Sequence, residues 1–253
     1  MKKTTRHYRT IDVARAAGVH PNTVRLYEEW GFLPPVPRAA NGYRLFTQEH
    51  LDQMCLARLA LHGAWPGPKI KRSAADLIKV AASGDLGGAL ELAYNHLSLV
   101  QAERAQADAA VAFLERWAKG GIVDATDQVL RVGQAAELLG VSTDVLRNWE
   151  RNGLIRVPRS PTNGYRLYGA QEIGRLRVIR ALLRAGYSTM AVLRMLIAFD
   201  RGQKDGLREV LDTPREDEDV YMAFDQWLSA LDGHEARARQ MISMLEARIE
   251  RLW

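Results

Sequence analysis

A single cysteine, Cys55, stands among the 253 residues of the chain. Neither an internal disulfide nor a multi-thiolate metal site can be assembled from it, and a reducing compartment is the natural setting. No apolar run approaches the roughly 20 residues that cross a bilayer, which excludes a membrane-spanning helix. The opening stretch, MKKTTRHYRT, is basic but leads into no apolar segment, so it does not read as a secretory signal and a cytoplasmic location is expected. The six histidines are scattered, and there is no HExxH, no Walker-type glycine loop and no nucleophile elbow. Enzyme activity is therefore not expected, and no cofactor or metal is implied.

What is present is the composition of a globular protein, 47% hydrophobic and 26% charged. The length is better suited to two modest cores than to one. The net charge of +5 allows a polyanionic partner, and its distribution is more informative. Residues 1–48 carry eight Lys/Arg against three Asp/Glu, and residues 129–186 carry ten against four. Residues 84–118 carry two against five, and residues 200–253 eight against thirteen. Basic heads alternate with acidic stems.

The stretch NGYRLF at 41–46 returns as NGYRLY at 163–168. Laying Tyr8–Leu51 over Leu130–Ile173 without a gap aligns Arg9 with Arg131, Ala14 with Ala136, Gly18 with Gly140, Arg25 with Arg147, Glu28 with Glu150 and Gly31 with Gly153. An internal duplication of a small domain is the simplest account. In each copy a short apolar-periodic helix ends at a glycine (Gly18, Gly140), and a tight turn leads to a second helix. Pro21 suits the first position of that helix in copy one, and Ser142 is an N-cap in copy two. Ala14 and Ala136 let the paired helices cross closely, with Val19/Val141 and Val24/Leu146 between them. This is helix-turn-helix spacing. Proline-bearing strands follow (FLPPVPR, LIRVPRS), then Asn-Gly, in which both residues tolerate positive φ, then the return strand of a small β-wing.

Both copies resemble the DNA-binding domain of the MerR family of transcription regulators, whose second helix ends R-x-Y-E-x-x-G-L and whose wing ends N-G-Y-R-x-Y. TVRLYEEWGFL with NGYRLF and VLRNWERNGLI with NGYRLY carry the likeness, and the helix pairs behind each wing extend it over 8–82 and 130–199. The resemblance implies a mainly α fold of two winged helix-turn-helix heads (1–82 and 129–199). Each is followed by a long helical stem (83–118 and 200–253), with a linker at 119–128. The stems are expected to pair as an antiparallel coiled coil through Leu90, Leu97, Val100, Ala107, Val111 and Leu114 on one side and Leu231, Ala238, Met241, Leu245 and Leu252 on the other. Such stems are alternatively ordinary helix faces folded back on the heads. In family members the long helix pairs between two subunits, so one chain carrying both stems implies a single-chain pseudo-dimer; a homodimer with four heads is the rival.

The same resemblance places DNA contacts at Asn22, Thr23 and Arg25 of copy one and at Asp144 and Arg147 of copy two. Tyr27, Arg38, Tyr43 and Arg44, with Trp149, Arg159, Tyr165 and Arg166, fall at backbone-clamp positions. In the ungapped alignment Arg38 meets Ser160, with Arg159 one residue earlier. Asp144 accepts hydrogen bonds but repels phosphate, and Trp149 lacks a tyrosine hydroxyl, so the second head is expected to read a different half-site or to bind more weakly. Tyr43 and Tyr165 alternatively pack the wing onto the helices. The implied partners are double-stranded promoter DNA and RNA polymerase. A small-molecule effector is a second reading, with Trp65, Trp117, Tyr221 and Trp227 as an aromatic pocket, and an architectural DNA-binding role a third. Cys55, beside Leu51, Met54 and Leu59, is read as core.

Overall fold

The computed structural model describes residues 6–63, 67–121, 128–214 and 226–252. Trp65 and Tyr221 lie outside them. Among the described residues there are eleven helices, no continuous strand, and no helix long and apolar enough to cross a membrane. The chain divides into two compact units, Met1–Ala102 with Leu231–Trp253, and Glu103–Ala230. The units thus do not follow the linear order of heads and stems.

In the first unit, α1 (Thr10–Ala16) and α2 (Pro21–Glu29) form the helix-turn-helix. The backbone N–H of Arg9 donates to Asp12 Oδ2 at 2.9 Å, which starts α1. Gly18, at φ 63°, ends it in the left-handed conformation that other residues avoid. Val13, Ala14 and Val24 are buried between the two helices. Behind them lie α3 (Gln48–Ala60), α4 (Pro68–Ala82) and the first half of α5 (Leu86–Ala118). The final helix, α11 (Trp227–Glu250), contributes Ala238, Met241 and Leu245 to the same apolar cluster as Phe46, Met54 and Ile78 of the head and Ala89 and Ala93 of α5. Tyr94 donates to Glu246 at 2.9 Å and Gln101 to Glu235 at 3.1 Å, so α5 and α11 run antiparallel here. Cys55 is half-buried and its thiol is pushed up by burial, with Asp52 adding to the shift.

The second unit repeats the head as α6 (Val132–Leu139), α7 (Thr143–Arg151), α8 (Ala170–Arg184) and α9 (Thr189–Asp200), followed by α10 (Leu207–Asp212). Ser142 caps α7 through the Val145 N–H at 3.3 Å. Asp212 accepts from the backbone N–H groups of Leu228 and Ser229, which caps the start of α11. Trp227 covers Gly186, where a Cβ would come within 2.4 Å of the indole. The predicted stem positions Val100, Ala107, Val111, Leu114, Leu231, Ala238, Met241 and Leu245 are all buried, and Leu90 and Leu97 partly so. Leu252 is the exception: it lies beyond the end of α11 and is 74% exposed.

Candidate nucleic-acid interface

Each wing is a hairpin reduced to its minimum. In head one a single bridge joins Arg38 to Arg44, the Leu45 N–H donates to Pro37 O, and the Ala39 N–H donates to Tyr43 O, both at 2.8 Å. Proline in the outgoing arm removes the donors a longer ladder needs. A second bridge, Tyr8 to Phe46, sews the return arm to the residues before α1, and Leu130 to Tyr168 does the same in head two.

The turn differs from expectation. Asn41 keeps negative φ and only Gly42 turns positive, at 81°. With the Gly42 N–H on Ala39 O, this is a three-residue loop whose last position is a left-handed glycine, not a two-residue Asn-Gly turn. In head two the Ser160 N–H donates to Tyr165 O and the Gly164 N–H to Ser160 O, which makes the loop one residue longer. The bridge there joins Arg159 to Arg166. The ungapped alignment is therefore displaced inside the wing: copy two has one residue fewer before the hairpin and one more in its turn. Arg159, not Ser160, is the counterpart of Arg38, and each donates to the wing glycine's carbonyl at 3.4 Å.

The exposed face of α2 carries Asn22 and Arg25, with Thr23 half-buried. Arg25 Nη1 reaches Asn22 Oδ1 at only 3.5 Å, so its guanidinium is nearly unengaged. On α7, Arg147 Nη1 meets Asp144 Oδ1 at 3.1 Å in an ion pair whose side chains are 51% and 84% exposed. Such a pair is held weakly in water, yet it places a carboxylate beside the arginine. Tyr43 and Tyr165 stand at the wing tips, 73% and 60% exposed, pointing away from the packing role. The Arg131 guanidinium lies over the Tyr165 ring at 5.6 Å.

Four of the expected contact residues sit elsewhere than on an open surface. Tyr27 and Trp149 are 7% and 8% exposed. Tyr27 packs edge-on to Phe32 and stacks on Trp30, and burial pushes its hydroxyl above the ordinary range, with the Arg58 charge opposing. Arg44 and Arg166 turn back from the wing to Glu28 and Glu150, at 2.5 and 2.6 Å. Each wing is thereby braced on the second helix of its head by the same pair. The glutamates were visible as identities of the repeat, three residues after Arg25 and Arg147, but spacing alone did not assign them a partner 16 residues away.

A second constraint lies just behind. Gln53, fully buried, donates to Phe32 O at 3.1 Å and Ile78 O at 2.9 Å, and its oxygen accepts from Arg248 Nη1 at 2.7 Å. Burial lowers the Arg248 guanidinium from its ordinary value, with Asp52 and Glu49 opposing. The aligned residue in head two is Arg175. Its Nε donates to Leu154 O at 2.9 Å, while both terminal nitrogens grip Asp200 at 2.6 and 2.9 Å. On the stem side, Trp117 lies against Gly174 and Phe199. Trp117 packs on Phe199 and Trp227 on Gly186, both within the second unit, and the other two residues of the expected pocket lie outside the described residues. Among the described residues no group of His, Cys, Asp and Glu is arranged to hold a metal.

Two wing-braced helix-turn-helix heads, each presenting an arginine on the outer face of its second helix, define a tandem winged helix-turn-helix protein. Comparison with known sequences agrees: the family described as MerR HTH family regulatory protein matches residues 8–72 and 130–198, more than half of the chain. The chain belongs to the MerR family, with the family's domain present twice. It is 33% identical over 73 residues to the mercuric resistance operon regulatory protein of Bacillus cereus, covering 29% of this chain and 55% of that one. It is 45% identical over 49 residues to the HTH-type transcriptional regulator CueR of Escherichia coli O157:H7 (19% and 36%), and 28% identical over 118 residues to the nodulation protein NolA of Bradyrhizobium sp. strain NC92 (40% and 50%). The chain spans about half or less of the length of these relatives. No solved structure matches it.

Proposed function

We propose that the protein is a sequence-specific, double-stranded DNA-binding transcription regulator that works as a single-chain pseudo-dimer. In this reading α2 and α7 enter the major groove at two unlike half-sites, with Asn22, Thr23 and Arg25 reading one and Asp144 and Arg147 the other. Tyr43 and Tyr165, with Arg38 and Arg159, hold the phosphates beside each groove. Tyr27, Trp149, Arg44 and Arg166 set the position of the reading surfaces from behind. Distorting the DNA between half-sites costs about 1–6 kcal/mol, which several charge-assisted phosphate contacts offset. The location is cytoplasmic and RNA polymerase is the partner that exploits the distortion.

The observation that carries the single-chain reading is the buried Arg248–Gln53 bond, which places the last helix of the chain on its first head. In the family arrangement that place is taken by a helix of the other subunit. Fusing both heads replaces bimolecular dimerisation by an effective concentration on the order of millimolar. Analytical ultracentrifugation is expected to give a monomer that binds an imperfect palindrome one to one. An obligate dimer with four heads overturns the reading. A footprint away from promoter elements favours the architectural alternative.

A further inference from the structure

We propose that the cleft between the end of α5 and the second head binds a small aromatic anion. The cleft has a volume of about 1030 Å³, at the upper end of the roughly 300–1,000 Å³ usual for small-molecule sites. One side is apolar. The Trp117 and Phe199 rings lie with centroids 4.4 Å apart, both partly exposed, and Ile155 and Leu193 continue the surface.

The other side is charged and unbalanced. Its acids are already engaged: Asp200 holds Arg175, and Glu172 Oε2 accepts the Gly169 N–H at 2.9 Å. Lys119 reaches Asp205 at 3.3 Å. Arg156 and Lys204 line the same cleft, are exposed, and form no ion pair among the described residues. Two cations without an ion pair outweigh the one carboxylate, Glu172, that has no cationic partner among the described residues, and beside an aromatic surface they suit a planar ring bearing a carboxylate or sulfonate. The ring covers Trp117 and Phe199 while the anion takes charge-assisted bonds from Arg156 and Lys204. A cationic ligand is disfavoured at the same place.

The site lies where it can act on the second head. Gly153 at the end of α7 lines the cleft, and Leu154, next in sequence, is the residue whose carbonyl Arg175 holds. In the first unit the matching stem position, three residues beyond a buried leucine, is Arg248, closed onto Gln53.

The test uses the full chain without DNA, so its outcome does not depend on the proposed function. Anilinonaphthalene sulfonate is titrated against it by fluorescence, alongside N-phenylnaphthylamine, which keeps the rings and lacks the anion. One sulfonate per chain is expected. The double variant Arg156→Ala, Lys204→Ala weakens it about tenfold and leaves the uncharged probe unaffected. Hydrogen-exchange protection by the sulfonate falls on 117–121, 153–156 and 199–204. Unchanged sulfonate affinity in the double variant, an equal loss for both probes, or protection confined to other segments overturns the proposal. Both substituted side chains are exposed, so folding is not at stake.

Discussion

The two heads satisfy the same backbone carbonyl with different chemistry. Behind the first recognition helix, Phe32 O is held by a neutral amide, Gln53, which is itself held by Arg248 of the last helix. Behind the second, Leu154 O is held by Arg175, which closes on Asp200 of its own head. Duplication preserved the requirement for a donor at the exit of the reading helix, not the residue that meets it. The first head is thus wired to a distant part of the chain, whereas this part of the second is self-contained. Gln53→Leu removes the bond held by the buried Arg248 guanidinium and the side-chain donor to Phe32 O, whereas Ile78 O keeps its bond within α4; the cost is expected to be about 3–5 kcal/mol. Arg175→Leu strands one carbonyl and an Asp200 side chain that is 53% exposed, so a cost of about 1–2 kcal/mol is expected. Urea unfolding, with hydrogen exchange resolving each head, makes the measurement. Equal losses would break the comparison.

Acid separates the units next. His96 of α5 is buried, with Nδ1 3.2 Å from Ser73 Oγ of α4 and with His234 and Arg237 of α11 nearby. Burial, first, and then those two neighbours lower its pKa from 6.5 to about 4. The folded state therefore holds His96 neutral where the unfolded chain takes a proton. Its contribution is complete above pH 6.5 and is lost as pH drops through the window from 6.5 to 4, the loss reaching roughly 3 kcal/mol at the lower end. The first unit is expected to lose exchange protection at pH 4.5 before the second, and His96→Gln to flatten that difference. Simultaneous loss of both units in the parent chain counts against this account.

Much of this asymmetry was invisible in the sequence. The helices were legible because apolar residues at helical spacing end at glycines, and Gly18 and Gly140 do adopt positive φ. The stem faces were legible for the same reason, except at Leu252, where the helix has already ended. The wings were legible as hairpins but not in register, because a one-residue deletion and a one-residue insertion cancel within a few positions and leave the flanking identities aligned. The Arg248–Gln53 bond spans 195 residues and leaves no local trace. The repeated Asn-Gly-Tyr-Arg motif placed Arg44 and Arg166 on the wing; only the fold shows that they face Glu28 and Glu150.

At the proposed reading surface the comparison narrows to one arginine in each head. Arg25→Ala and Arg147→Ala are each expected to cost about 1–3 kcal/mol of base discrimination, at opposite ends of the site. The first should cost more, since Arg25 gives up only a 3.5 Å contact to reach a base whereas Arg147 must leave Asp144. Footprinting on sites mutated in one half at a time resolves the two. Losses confined to the same half-site for both variants would remove the assignment of heads to half-sites.

The smallest effect tests why the second head differs at all. Asp144 occupies the place of Asn22, so Asp144→Asn gives the second head the first head's residue. The ion pair it removes is exposed and worth about 0.3–0.5 kcal/mol to the helix, so stability should barely change. At the DNA surface the change acts in the opposite direction. A carboxylate that repels phosphate and accepts only from cytosine is replaced by an amide that makes a bidentate contact with adenine, and Arg147 is released. Affinity is expected to rise about threefold, an exposed-charge effect of well under 1 kcal/mol, and preference at the second half-site to move toward adenine. Binding-site selection with parent and variant reads both changes. If affinity rises while preference stays fixed, Asp144 acts only through charge and the unlike reading of the two half-sites must come from other exposed residues of α7 and the longer wing.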